Sequence, residues 1–135
     1  MKKVFAGVVV MLLFGSLFGA AAFAEARNSK GSAVTWTFYV ENGKNVARAK
    51  KMAIRQLKKE GYKKVVAPLA TKLDRGHFAV LFTSYWVNGV LKNAYVYGFS
   101  AKSQEDAKAK AEKNLHKLKG WKPSEGFTVN KLESF

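Results

Sequence analysis

The dipeptide Asn88-Gly89 lies between two runs of β-forming residues, and it constrains the fold more than any other local signal. Asn-Gly is the strongest two-residue signal for a β-hairpin, because both central positions of a type I′ turn need positive φ. Such a turn fixes the register of the whole segment from His77 to Ser100. The resulting pairs are Val87 with Val90, Trp86 with Leu91, Phe82 with Tyr95, Val80 with Tyr97 and Phe78 with Phe99. One face of the hairpin is therefore predicted to be a ladder of large, mostly aromatic side chains.

Strand alternation and helix end signals predict the elements around this hairpin. Asn45 is a good N-cap for a first helix that Gly61 ends, and Ser103 opens a second helix that Gly120 ends. The predicted elements are strands Val34–Glu41, Tyr62–Leu69 and Phe127–Leu132, with helices from Val46 to about Glu60 and from Ser103 to Gly120. The order is β-α-β-β-β-α-β. We predict an α+β fold in which two helices pack on one face of a small antiparallel sheet.

The α-β-β-β-α part of this order, over roughly Val46 to Lys119, resembles the topology of double-stranded RNA-binding domains. The similarity extends to Gly76-His77 before a strand and to the Asn88-Gly89 hairpin. Those domains carry basic residues at the start of their last helix to grip phosphates, whereas this chain has Glu105 and Asp106 there. The resemblance therefore implies a shared topology and not membership of that family.

The first 24 residues have the pattern of a secretory signal peptide. Lys2 and Lys3 precede an apolar run from Val4 to Phe18, and Ala22-Phe23-Ala24 gives an A-x-A end. The pattern predicts cleavage after Ala24 and an exported chain, in the periplasm or secreted by a bacterium. The alternative is an uncleaved membrane anchor, since Val4 to Ala24 is near the length of a spanning helix. With cleavage, residues 25–33 would form a flexible lead-in and residues 34–135 a single domain.

The charge of the chain indicates an anionic partner. The sequence has 24 Lys and Arg against 9 Asp and Glu, a net charge of +15. Removing Lys2 and Lys3 with the signal peptide would leave 22 − 9 = +13. A charge this far from zero favours binding to anionic surfaces or polymers, although it also serves solubility alone. The chain has no Cys, which excludes disulfides, a lipoprotein anchor and cysteine-based zinc sites.

The first helix is strongly basic, and its basic residues recur at helical spacing on the side away from its apolar stripe. The candidate anion-binding residues are Lys44, Arg48, Lys51, Arg55, Lys58 and Lys59, with Lys63 and Lys64 extending the set. A row of this kind suits phosphate contacts with counterion release, and it also suits the polar side of a membrane-surface helix. We therefore expect a non-enzymatic domain that binds an envelope lipid or lipopolysaccharide, a wall polymer or extracellular nucleic acid. The alternative for the row is an ordinary solvated helix face.

A second function class is a small secreted basic hydrolase, such as a nuclease. His77 lies near Asp74 and Arg75, which would serve acid–base or phosphate chemistry. No other histidine or carboxylate is predicted near them, and the two histidines of the chain have no ligand spacing. We expect no metal and no small-molecule cofactor.

A third class is an envelope protein–protein interaction module. If both helices cover one side of the sheet, the smaller face of the hairpin is left open, and such apolar patches often bind partners. The alternative, which we favour, is that the N-terminal segment or a helix covers this face. The residues of this candidate interaction face are Leu81, Tyr85, Val87, Val90 and Val96. The sequence does not fix the oligomeric state.

The two helices share a pattern of residues 58 positions apart. The matching residues are Asn45, Ala49, Ala53 and Leu57 in the first helix and Ser103, Ala107, Ala111 and Leu115 in the second. This spacing fits two β-α-β halves around an inserted strand, and it equally fits chance similarity between two Ala- and Lys-rich helices.

Overall fold

A computed structural model describes residues 19–73 and 75–135. The predicted signal residues 1–18 and the candidate site residue Asp74 lie outside this range. Its elements are β1 (Ala20–Arg27), β2 (Ala33–Glu41), α1 (Val46–Lys59), β3 (Lys64–Thr71), β4 (His77–Val87), β5 (Val90–Ser100), α2 (Gln104–Leu115), a short 3-10 helix (Pro123–Glu125) and β6 (Thr128–Ser134). The α+β class is confirmed. The single predicted sheet is wrong, because the strands form two three-stranded antiparallel sheets.

The chain divides into two compact units that are described separately. Unit 1 contains the described residues through Arg27, the segment from Thr35 to Arg75 and Phe135. Its sheet has the order β2-β1-β3, so β1 is central, and β1 pairs antiparallel with β3. One face of β1 consists of small residues that pack against α1: Ala20, Ala22, Ala24 and Ala26 meet Ala49, Ala53 and Leu57. On the other face Phe23 contacts Trp36 and Phe38, with ring centroids 5.8 and 4.9 Å apart.

Unit 2 contains residues Asn28–Val34 and Gly76–Ser134, and its sheet has the order β5-β4-β6. The hairpin of β4 and β5 has the predicted register throughout, from Val87 opposite Val90 to His77 opposite Ser100. Asn88 and Gly89 have φ of +49° and +76°, which confirms the type I′ turn.

α2 covers the smaller face of the hairpin, which is the favoured alternative of the sequence analysis. Leu81 and Val96 lie in one buried cluster with the helix residues Ala107, Ala111 and Leu115. Gly98 allows this close approach, because a Cβ there would collide with the backbone oxygen of Ala107 and lie 2.6 Å from the backbone nitrogen of Ala111. The candidate interaction face is therefore not exposed at Leu81, Val96 and Tyr85, all of which are buried. Val87 is half-buried, and Val90 is exposed.

The two units have the same internal plan, ββαβ. In each unit the first strand is central, the second strand pairs with it on one side, and the strand after the helix pairs with it on the other side. Both final strands have an irregularity against the central strand, between Phe23 and Glu25 in unit 1 and between Val80 and Leu81 in unit 2. The 58-residue echo thus coincides with a repeated structure. β1 supplies the strand that unit 1 lacked in the predicted order, so each half is a ββαβ unit and no strand is inserted between two β-α-β halves.

β1 changes the interpretation of residues 20–33. The predicted cut after Ala24 falls inside this strand, and cleavage itself stays a prediction. The predicted flexible lead-in is instead built into the fold: Glu25 to Arg27 end β1, and a turn follows in which the Asn28 side chain accepts hydrogen bonds from the backbone nitrogens of Lys30 and Ser32. The Ser32 hydroxyl then accepts one from the Asn93 backbone nitrogen of β5.

The resemblance to double-stranded RNA-binding domains does not extend to the sheet. Those domains would need β3 beside the β4–β5 hairpin in one sheet. Here β3 pairs with β1, and the third strand beside β4 is β6. The resemblance is therefore limited to the order of the elements along the chain.

Candidate functional site

α1 is a well-anchored helix with capping at both ends. The Asn45 side chain accepts a hydrogen bond from the Arg48 backbone nitrogen, 3.0 Å away, which satisfies one of the free N–H groups of the first turn. At the other end Gly61 has φ of +103°, and the backbone nitrogen of Tyr62 donates to the carbonyl of Leu57. This is the Schellman arrangement that glycine favours. The buried stripe of α1 and a hydrogen bond from Thr37 to Gln56, 3.0 Å long, fix the helix on its sheet.

Five of the six basic residues of α1 lie on the side away from its buried stripe, as predicted, and Lys50 lies outside this group. At about 100° per residue, the positions of the five fall within an arc of about 100°, centred opposite the buried stripe. The set, named here the α1 basic stripe, is Arg48, Lys51, Arg55, Lys58 and Lys59, and every member is exposed. Neighbouring members lie about 5–6 Å apart along a helix length of about 17 Å. The stripe therefore presents several cations at once to one surface.

Three further predicted residues flank this helix. Lys44 is exposed just before the N-cap, while Lys63 and Lys64 are exposed after the helix, where Lys64 begins β3. Arg27 lies opposite Lys64 on β1 and was missed in the sequence, because that residue was assigned to a lead-in. Arg27 already pairs with Glu25, at 2.7 Å between Nε and Oε2. The structure thus places the predicted residues along α1 and at its two ends.

One member of the stripe has an acidic partner that the sequence pattern did not reveal. Arg48 Nε lies 3.1 Å from Glu41 Oε2 at the end of β2. Helical spacing did not predict this ion pair, because Glu41 ends a strand and Arg48 lies in the helix that follows the turn. Burial raises the pKa of Tyr39 in the same neighbourhood, and the charge of Glu41 raises it further. Within residues 19–73 and 75–135, no carboxylate pairs with Lys51, Arg55, Lys58 or Lys59.

The charge of α1 is unusual when α2 serves as the comparison inside the same molecule. α1 has six basic and no acidic residues, so its net charge is 6 − 0 = +6. α2 occupies the equivalent place in its unit and has three basic and three acidic residues, so its net charge is 3 − 3 = 0. α2 also follows the helix dipole, with Glu105 and Asp106 in its first turn and Lys113 in its last. The first turn of α1 instead contains Arg48 and no acid, which the dipole disfavours.

Packing on the sheet requires neither the positive charge of α1 nor its lack of acids, because α2 packs in the same way with a net charge of 0. Both helices bury an Ala-Ala-Leu stripe on their sheets. Repulsion between like charges three and four residues apart lowers helix stability by a few tenths of a kcal/mol per pair. Lys58 and Lys59 are favoured by the helix dipole in the last turn of α1, whereas the other basic residues of the stripe have no such support.

Of the three residues of the predicted hydrolase site, Arg75 and His77 lie in the described part of the chain, and Asp74 lies outside it. His77 Nδ1 lies 2.8 Å from the Ser134 hydroxyl, and Gln104 Nε2 donates to the same hydroxyl over 3.2 Å. Arg75 is exposed in the loop. No carboxylate hydrogen bonds to His77 in the part of the chain that the structure describes. The same residues contain no cluster of three or more His, Asp or Glu that would hold a metal ion.

Comparison with known proteins found no relative of this chain. No protein family model, curated protein or solved structure matches the chain. Over residues 19–73 and 75–135, no helix has both the length and the apolar character to cross a membrane. The α1 basic stripe and its surroundings are therefore the basis for a functional proposal.

Proposed function

We propose that this protein is an exported, non-enzymatic binding domain that holds an anionic polymer or surface through the α1 basic stripe. The contrast between α1 at +6 and α2 at 0, in two units of the same ββαβ plan, carries this proposal. The signal-peptide pattern of the first 24 residues supports export. A cut after Ala24 would remove the first five residues of β1. The proposal for the binding surface does not depend on where the signal peptide is cut.

Binding by the stripe is mainly electrostatic. Each Lys or Arg that meets a phosphate or another fixed anion releases condensed counterions, so affinity falls as salt rises. Four such contacts to duplex DNA correspond to a slope of about −3.6 in log K against log salt concentration, or about a hundredfold loss of affinity between 50 and 200 mM. The stripe has no aromatic or hydrogen-bonding pattern for reading a sequence, so the binding would tolerate different polyanions.

Two variants of equal charge separate the stripe from the general positive charge. The first removes four stripe charges by R48Q, K51Q, R55Q and K58Q. The matched control removes four charges from α2 and the residues after it by K108Q, K110Q, K113Q and K117Q. A fluorescent DNA duplex is titrated at several salt concentrations. The stripe variant should lose most of the affinity, and its slope of log K against log salt concentration should be smaller in magnitude by about 3 to 4. The control should stay close to the unmodified protein.

Two results would contradict the proposal. If both variants lose affinity equally, net charge and not the stripe governs binding. If the unmodified protein binds neither DNA nor phosphatidylglycerol vesicles at 50 mM salt, the protein is not an anion-binding domain of this kind. Circular dichroism of both variants checks that α1 and α2 remain folded.

A further inference from the structure

The turn end of the β4–β5 hairpin in unit 2 exposes large apolar side chains. Trp86 is 61% exposed, Leu91 is 49% exposed and Val90 is 41% exposed. Trp86 and Leu91 are directly opposite each other across the two strands, so they share one face. This set of three residues is called the hairpin tip below. A tryptophan exposed to this extent, with an exposed leucine on the same face and an exposed valine next to the turn, is costly in water and points to a partner.

The backbone of the hairpin tip is held in place by hydrogen bonds and packing that do not use its three exposed side chains. The Trp86 backbone nitrogen donates to Glu125 Oε2 over 2.9 Å, and the Lys122 backbone nitrogen donates to Glu125 Oε1 over 2.8 Å. Gly120 packs closely on the other face, since a Cβ there would lie 3.2 Å from Val87 Cγ2. The exposed side chains therefore project from a fixed backbone, which lowers the entropy lost on binding.

Lysines lie at the same end of the hairpin, on the face opposite Trp86 and Leu91. Lys92 is directly opposite Tyr85 and so belongs to that other face, where exposed Lys119 and Lys122 flank the Gly120 segment that packs against Val87. Glu125, the carboxylate that anchors the Trp86 backbone, has both oxygens bonded to backbone N–H groups. The result is an apolar face at the end of the hairpin, formed by Trp86 and Leu91, with lysines on the opposite face of the same end. Tryptophan favours the boundary between hydrocarbon and lipid headgroups, and lysine favours anionic headgroups.

We propose that the hairpin tip inserts into the headgroup region of an anionic lipid bilayer, with Trp86 as its anchor and the neighbouring lysines on lipid phosphates. This goes beyond the proposed function, because it uses a surface of unit 2 and commits to a lipid partner. A second copy of the chain fits less well. The three side chains expose on the order of 300 Å², below the ~800 Å² per partner of a stable interface, and their lysines would repel each other.

The test uses the full chain and vesicles of phosphatidylglycerol and phosphatidylcholine. Sedimentation should show that W86A partitions into these vesicles about tenfold less than the unmodified protein. V129A is the matched control, because Val129 is also exposed, at 45%, on β6 of the same unit. V129A should partition like the unmodified protein.

Brominated lipids then locate the tryptophan. Of the three tryptophans, Trp121 donates a hydrogen bond to Thr83 within the fold and Trp36 packs on Phe23, so quenching by lipid bromine should come from Trp86. W86F should lose this quenching while keeping part of the binding. The variant with four stripe substitutions should keep the quenching at vesicle concentrations that restore binding, which separates this inference from the proposed function.

The inference is overturned if W86A partitions like the unmodified protein, or if W86F keeps the quenching. It is also overturned if Trp86 fluorescence responds to single-stranded DNA and not to vesicles, since the tip would then be a base-stacking site. Concentration-dependent dimerisation that W86A abolishes would assign the tip to a second copy instead.

Discussion

Replacement of Gly98 by alanine tests how α2 packs on its sheet. The added Cβ would collide with the carbonyl oxygen of Ala107 and approach the backbone nitrogen of Ala111 to 2.6 Å. These atoms belong to the helix backbone, so no rotation of a side chain relieves the collision. α2 would have to move away from β5 as a body, and Leu115 would lose part of its contact with the sheet.

The expected cost is about 3 kcal/mol, at the upper end for overpacking, because backbone atoms are involved. This is a large part of the roughly 5–15 kcal/mol that stabilises a typical domain. With a urea m-value of about 1.5–2 kcal/mol per molar, the midpoint of unfolding should fall by about 1.5–2 M. Trp121 is a suitable probe, since its ring nitrogen donates to Thr83 within unit 2.

Two other glycines are matched controls for this substitution. No atom lies within 4 Å of the place that a Cβ would take at Gly43, where φ is not positive, so G43A should change stability by less than about 0.5 kcal/mol. Gly89 also has open space but a φ of +76°, so G89A should cost about 1 kcal/mol through backbone strain alone. If G98A is no more destabilising than G89A, α2 does not cover this face of the hairpin, and the packing described for unit 2 is incorrect.

Three more predictions concern capping, pH and β1. S103A should destabilise unit 2 by about 1 kcal/mol in urea unfolding, because the Ser103 side chain accepts from the Asp106 backbone nitrogen, while S124A on the exposed 3-10 segment should not. The hydrogen bond from Ser100 and then the charge of Lys110 hold the pKa of Asp106 below its ordinary value. The stabilisation that the Asp106 carboxylate gives the fold is therefore present above about pH 4 and is lost as pH falls through the lowered pKa. D106N should therefore be less stable than the unmodified protein at pH 7, and the difference should disappear in unfolding curves measured at the acid end; a difference that persists there would contradict this assignment. A chain beginning at Glu25 lacks five of the eight residues of β1 and should unfold at lower urea than one beginning at Gly19, and equal midpoints would show that β1 does not hold unit 1 together.

The local parts of the fold could be predicted from the sequence because their signals lie within a few residues. Asn88-Gly89 determined the turn and, through the period of two, every pair of the hairpin. Asn45 and Gly61 marked the ends of α1, and its basic side followed from helical spacing. The second helix is shorter than predicted: it ends at Leu115, and turns continue the chain to Gly120.

The remaining parts depended on contacts between distant residues. The Ala-rich segment Ala20–Ala26 has the small residues of a signal-peptide end, and the same residues are what a strand needs beneath a closely packed helix. Both faces of the hairpin are apolar, so hydrophobicity alone did not show which face α2 would cover. Gly98 and Ala79 were the available signal, because small sheet residues match the Ala107 and Ala111 side of α2. The Glu41–Arg48 pair likewise needed the positions of β2 and α1.

Lysine footprinting tests most directly whether the α1 basic stripe is the binding surface. The protein is acetylated briefly with and without saturating DNA duplex at low salt, and the modified lysines are quantified by mass spectrometry. Lys51, Lys58 and Lys59 should be protected several-fold more than Lys110 and Lys113 of α2, which are also exposed in the free protein. Equal protection of the two helices, or stronger protection of α2, would contradict the account.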